Sequence, residues 1–267
     1  MIFRSSKSGL LLPDEPLYKS EYGTSKSYSL IEQFDMGITP QGWTTATQGA
    51  GSSVTYTQAY ESGVIGQAFV QSTQSAINNR AGIIFASNYN YILAFDDCVY
   101  TSFRTKLRNG TGAMTNIIQV GLGNTITPAN VVVGAPLTGF GNTIAFRMDP
   151  LNKTGENPGL ITNWFLFTKK AGVGFNTVDT GVAYTPATFQ DLGFIVDYTI
   201  PLAPVIRAYI NDVLVATLVV NANVPISSGP GAGLGLSQMA FTGSGGFSGG
   251  PATTLRINDM ALYRLWN

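Results

Sequence analysis

The chain has 267 residues, 44% of them hydrophobic but only 11% charged, and its 15 basic and 15 acidic side chains cancel. That charge fraction is under half of the roughly 25% usual for a soluble domain, so solubility rests on Ser, Thr, Asn, Gln and Gly. A neutral chain whose longest basic run is Lys169–Lys170 offers no clustered cations for nucleic acid or an anionic membrane surface. No apolar stretch approaches the ~20 residues of a membrane-crossing helix. So little charge makes a surface cheap to desolvate, which suits lasting association with other subunits.

Residues 1–30 are polar, broken by Pro13 and Pro16, and show neither strand nor helix period. They read as an extended N-terminal arm, a segment that gains order by lying on a neighbour. The start, Met1 to Lys7, lacks the apolar core of a secretory signal, and Cys98 is the single cysteine. Both features point to folding in a reducing cytoplasm. Cys98 itself reads as a small buried hydrophobe. On the same expectation, the glycosylation-type triplets at Asn109 and Asn152 are chance matches.

From residue 31 to 267 the pattern is that of one all-β domain. Short β-branched and aromatic runs alternate with Gly, Pro, Asn and Asp. Strands are predicted at 53–58, 68–71, 82–85, 98–106, 117–122, 143–148, 163–168, 189–198, 205–210, 213–220 and 254–266. That number fits two packed sheets. The clearest local signal runs from Val205 to Val220, where two apolar runs flank Asn211–Asp212. Both residues tolerate the positive φ of a two-residue hairpin turn. The glycine-rich stretches 229–235 and 243–251 read as loops. The first lacks the following helix of a phosphate cradle.

Histidine is absent, which removes the usual Ser–His and Cys–His pairs and the commonest metal ligand. Gly246-Phe-Ser-Gly-Gly matches the serine-hydrolase pattern, but nothing activates Ser248, and the segment reads as a loop. The glutamates are Glu15, Glu21, Glu32, Glu61 and Glu156, none with a carboxyl partner at strand spacing. Glycosidic cleavage needs two carboxyls across the bond, so no catalytic residue is assigned. Asp96–Asp97, with Asn88 and Asn90, offers oxygen ligands of the kind Ca²⁺ accepts. The plainer reading is a turn cap, so no metal or other cofactor is assigned. Trp43, Trp164 and Trp266 read as core or interface anchors.

The order of several segments resembles the concanavalin A-like lectin/glucanase superfamily, including the laminin-G-like domains found in bacteriophage structural proteins. Phe34-Asp35, Gly42-Trp43 and Glu61 to Phe69 look like its opening strands. Cys98 to Leu107 and Ile118 to Asn124 look like a long strand followed by a Gly-Leu-x-Asn turn. Trp164 to Tyr184 is similar to the segment before the final strands. The hairpin Arg207-Ala-Tyr-Ile-Asn-Asp and the ending Leu255-Arg-Ile-Asn-Asp-Met-Ala-Leu-Tyr carry the resemblance most specifically.

The resemblance implies a two-sheet antiparallel jelly-roll sandwich over residues 31–267. The hydrolases of this superfamily carry Glu-x-Asp-x-x-Glu on one strand, and no such triplet occurs here. Its implied role is non-enzymatic: a virion structural protein, chiefly a capsid decoration (cement) subunit clamping neighbouring shell subunits through the arm. The expected partners are then the major capsid protein and further copies of the chain, with a trimer favoured. The alternative is a glycan-binding receptor module of a tail fibre or baseplate, with a host surface glycan as partner. Loop aromatics that could stack on sugar rings are Tyr89, Tyr91, Tyr184, Phe175 and Phe247.

Overall fold

The structure, a computed structural model, describes residues 27–34, 37–48, 52–61, 64–72, 80–85, 100–109, 117–123, 142–149, 162–199, 204–225, 236–243 and 253–265. Fifteen strands and no helix lie among them. They are β1 (Ser27–Gln33), β2 (Trp43–Gln48), β3 (Ser52–Glu61), β4 (Val64–Ser72), β5 (Arg80–Phe85), β6 (Tyr100–Asn109), β7 (Ile117–Gly123), β8 (Thr143–Met148), β9 (Asn163–Lys170), β10 (Gly174–Ala183), β11 (Gln190–Asp197), β12 (Val205–Ile210), β13 (Val213–Val219), β14 (Ser237–Gly243) and β15 (Thr253–Leu265).

They form two antiparallel sheets. One runs β13-β12-β11-β6-β15-β4-β3, with β1 also on β15, and the other runs β10-β9-β8-β7-β14-β5-β2. The expected all-β sandwich is present. Strand β1 begins at Ser27, so its first four residues lie inside the stretch set apart as an arm and pair with the end of β15.

β15 organises the eight-stranded sheet. One side pairs with β6 along most of its length. The other side pairs first with β4, through Ile257, and then with β1, from Asp259 onward. The handover falls at Asn258, where the β6 register slips between Ile257 and Asp259 and the Phe34 amide donates to the Asn258 carbonyl at 3.3 Å. A bulge lets one strand serve two neighbours on the same side without leaving backbone groups unpaired.

The core lies between the sheets and is crossed by a column of aromatic rings. Phe103 on β6 stacks on Phe194 of β11 at 5.3 Å, Phe194 meets Phe146 of β8 at 6.4 Å, and Phe146 meets Trp164 of β9 at 6.4 Å. The column ends on Tyr184, 5.6 Å from Trp164. A second cluster, Tyr56, Phe34, Trp43 and Phe85, fills the opposite end with ring separations of 6.0, 5.1 and 5.6 Å. Trp43 and Trp164 are therefore core anchors, as the sequence suggested; Trp266 lies outside the described residues.

The 205–220 hairpin forms as read. Asn211 and Asp212 adopt φ of 50° and 66°, the paired positive angles of a type I′ turn. The Asn211 side chain accepts from the Asp191 amide at 2.9 Å while its own amide donates to the Asp191 carbonyl at 2.8 Å, which ties the turn to β11. β12 alternates strictly, with Ile206, Ala208 and Ile210 buried and Val205, Arg207 and Tyr209 only partly covered.

Truncating the ring at the centre of the column is the sharpest test of this core. Phe194→Ala should cost about 3–5 kcal/mol of unfolding free energy, and Phe194→Leu clearly less. Urea unfolding monitored by circular dichroism checks this, through a lowered midpoint at unchanged slope.

Candidate functional site

Side chains alternate across a strand, so each sheet also presents a face turned away from the core. On the seven-stranded sheet that face carries a straight row in register: Asp179 on β10, Phe165 on β9, Arg147 on β8 and Gln119 on β7. The next row holds Thr177, Phe167, Ala145 and Gly121. Arg147, Gln119, Phe165 and Phe167 are all fully buried, although they lie on the side opposite the core.

Arg147 is the centre of this face. Its Nε and Nη2 both donate to Gln119 Oε1, at 3.0 and 2.8 Å. Its guanidinium lies 3.3 Å from the centroid of the Phe167 ring, and Phe167 stacks in turn on Phe175 of β10 at 6.1 Å. Phe175 is 41% exposed, so the column Arg147–Phe167–Phe175 runs from a buried cation to an open aromatic face. Gln119 spends its oxygen on the guanidinium, and its Nε2 is buried with no hydrogen-bond partner.

Gly121 lets the strands close up at this point. A Cβ there would sit 2.4 Å from the Ile144 carbonyl oxygen and 2.5 Å from Ala145 Cα. No substituent fits without moving β8, the strand that carries Arg147.

The outer face of the eight-stranded sheet is charged instead. Arg104 pairs with Asp191 at 3.2 Å and Arg207 with Asp197 at 2.6 Å. Burial alone would raise the Asp197 carboxyl, but hydrogen bonds from Thr199 and Arg207 outweigh it and hold the group below its usual range. Lys106 and Arg108 both lie over the Phe189 ring, at 5.8 and 5.2 Å. Asp259, at the β15 bulge, behaves oppositely to Asp197. Desolvation pushes it up to about 6 against the pull of Arg104 and Lys106, and its Oδ1 is buried without a partner.

Of the aromatics proposed for sugar stacking, Tyr184 is placed differently from the expectation. It is 7% exposed and packs edge-on against Trp164, with its amide donating to the Thr162 carbonyl at 3.0 Å. The segment after β10 turns into the gap between the sheets, so this ring closes the core and offers no face to a ligand. Phe175 does lie at an exposed hairpin edge. Tyr89, Tyr91 and Phe247, the acidic pair Asp96 and Asp97 with Asn88 and Asn90, Cys98, and the loop holding Ser248 fall outside the described residues. Among the described residues no cluster of three His, Cys, Asp or Glu side chains could hold a metal ion. No helix there is long and apolar enough to cross a membrane.

Arg147 and Gln119 were not singled out from sequence. The available signal was one arginine inside the apolar run Ile144-Ala-Phe-Arg-Met, at the position whose side chain alternation turns away from the core.

No protein-family model matches the chain, and no curated protein matches it. Solved structures do. The chain aligns with the carbohydrate recognition domain of Emp47p at TM-score 0.52 and 12% identity, over 89% of this chain and 95% of that one. It aligns with the endo-β-1,4-glucuronan lyase of the fungus Trichoderma reesei at TM-score 0.55 and 8% identity, over 87% and 94%. A protein of unknown function from Shewanella oneidensis MR-1 gives TM-score 0.56 and 10% identity, over 94% and 95%. The fold is thus the lectin-like antiparallel jelly-roll sandwich, an architecture shared by a recognition domain and a lyase.

Asp259 gives this charged face a pH signature. Its folded-state pKa of about 6 lies above the ordinary 3.8, so the folded protein disfavours its charged form. Stability is then lost as pH rises from about 4 through about 6. Asp259→Asn should raise the melting temperature at about pH 7.5 and leave it nearly unchanged at about pH 3.5. Thermal melts of both proteins across that range check it.

Proposed function

We propose that this chain is a non-catalytic, glycan-binding module of a virus particle. The observation that carries the reading is the Arg147–Phe167–Phe175 column on the outer face of the seven-stranded sheet. An exposed aromatic ring covers the apolar face of a sugar, while a nearby cation and amide donors orient its oxygens. Phe175 supplies the first, and Lys169, its register partner on β9, lies beside it. Arg147 and Gln119 brace the column from beneath. The fold supports the reading, because one similar structure is named as a carbohydrate recognition domain and another as a glucuronan lyase. Binding without turnover fits a chain that lacks the Glu-x-Asp-x-x-Glu triplet of the superfamily's hydrolases. The virus-particle setting draws on the phage-like resemblance and the scarcity of charge.

A glycan array with the intact chain, followed by calorimetry on any hit, tests this. Phe175→Ala should weaken binding about tenfold or more, a loss of about 1.4 kcal/mol, while the protein stays folded by circular dichroism with only a modest fall in melting temperature, because the ring is partly exposed. No hit on the array, or a hit indifferent to Phe175→Ala, would sink the assignment of this face. Release of reducing ends from a bound polysaccharide would sink its non-catalytic part.

A second reading, a capsid decoration subunit that clamps neighbouring shell subunits through residues 1–30, is favoured by the 11% charge content. Removing residues 1–26, which leaves β1 intact, should then abolish incorporation into particles or lower their heat stability. Particles that take up the shortened chain normally would argue against the clamp.

A further inference from the structure

We propose that β13 is a self-pairing edge, at which two copies of this chain join their eight-stranded sheets into one continuous sheet across a two-fold axis. β13 is the terminal strand of its sheet, so its far side has no neighbouring strand among the described residues. Protein edges are normally protected by lysine, proline or inward charge. The sequence Val-Leu-Val-Ala-Thr-Leu-Val has none of these. Of six large apolar side chains exposed among the described residues, three lie on this one strand: Val213 at 62%, Leu214 at 51% and Val219 at 60%. Water gains nothing from them, and a partner strand would cover them.

The second copy is the occupant that the strand itself specifies. β13 carries one bulge: Ala208 pairs with Ala216 and Tyr209 with Leu214, which leaves Val215 outside the register. Leu214, Thr217 and Val219 consequently share the outer face, opposite Tyr209, Arg207 and Val205 of β12. Around a two-fold axis through Thr217, with the bulged valine skipped in each copy, Leu214 meets Val219 of the other copy twice. Thr217 then meets its own counterpart. Every such pair is apolar or hydroxyl, so no like charges oppose each other and no oppositely charged partner is called for. Symmetric dimers reuse one patch in this way, residue i on j and j on i.

The neighbouring border of the other sheet is fastened to this edge rather than left to swing across it. Asn176 and Asn221 exchange side-chain hydrogen bonds of 2.9 and 3.1 Å, and Asn223 donates to the Phe175 carbonyl at 2.9 Å. Phe175 itself lies on the outer face of the seven-stranded sheet, outside the pairing, so dimer formation and sugar binding are separable.

Sedimentation equilibrium of the full chain over a concentration series tests the proposal. The wild type should sediment as a dimer. Leu214→Lys and Val219→Lys should each raise the dissociation constant at least about tenfold while leaving the far-ultraviolet circular dichroism spectrum unchanged, and should weaken the concentration dependence of the melting temperature. Thr217→Cys in a Cys98→Ser background gives a second readout. Facing residues of an antiparallel pair are about 4.5–5.5 Å apart at Cα, within disulfide reach, so oxidation should yield a covalent dimer. A monomeric wild type, a dimer indifferent to both lysines, or failure of Thr217→Cys to cross-link would each overturn it. If the lysine variants fail to fold, the cross-link decides.

Discussion

Everything in this molecule is arranged around the space between its two sheets, and the aromatic column from Phe103 through Phe194 and Phe146 to Trp164 is what holds that space at one width. Each ring buries a large apolar area, and ring-on-ring geometry is directional where aliphatic packing is not. The column links two strands of one sheet to two of the other. It therefore fixes their relative shift as well as their separation. Gln190 locks the same region by polar means: its Oε1 accepts from the Trp164 indole at 3.0 Å and from the Thr185 amide at 3.2 Å, and its Nε2 donates to the Ala183 carbonyl at 3.2 Å.

With the inner faces committed to the core, chemistry is left to the outer faces, and the two have different characters. The eight-stranded sheet bears ion pairs and a destabilised carboxyl. The seven-stranded sheet bears, beside Asp179 and Lys169, a buried arginine enclosed by aromatics and an amide. A buried guanidinium is costly unless its donors are used and its charge is met, and the Gln119 oxygen and the Phe167 ring supply part of both. Such an arrangement organises a face more rigidly than a surface lysine could, because the planar fork fixes the directions of its hydrogen bonds.

Much of the fold was legible in the sequence where strands are apolar. β8 and β12 have the predicted bounds, and β7, β9, β11, β13 and β15 differ by a residue or two at their ends. The type I′ turn followed from Asn211–Asp212 because few residue pairs accept two successive positive φ angles. Four strands were missed, β1, β2, β10 and β14. Strand β14 (Ser-Gln-Met-Ala-Phe-Thr-Gly) lies between β7 and β5, where its flanking glycine-rich segments masked it, whereas two others are polar border strands. β2 (Trp-Thr-Thr-Ala-Thr-Gln) and β10 (Gly-Phe-Asn-Thr-Val-Asp-Thr-Gly-Val-Ala) close the two borders of their sheet, where half the backbone and much of the side-chain surface meets water. Hydrophobic alternation fades at such positions, so period gives no warning of them.

The sequence by itself determined that the chain builds a β-sandwich with one sharply defined hairpin, since β-branched runs and turn residues act over a few neighbours. It also determined what the site lacks, because composition alone removes histidine chemistry. Only the tertiary structure decided which residues meet. Arg147 and Gln119 are 28 positions apart and Trp164 and Gln190 are 26 apart, and register between strands, not sequence spacing, brings each pair together. The fate of Tyr184 has the same origin. A tyrosine among Ala, Thr and Pro reads as a loop residue, yet the crossing between sheets carries it into the core. Burial on that scale is set by long-range pairing, which local chemistry does not encode.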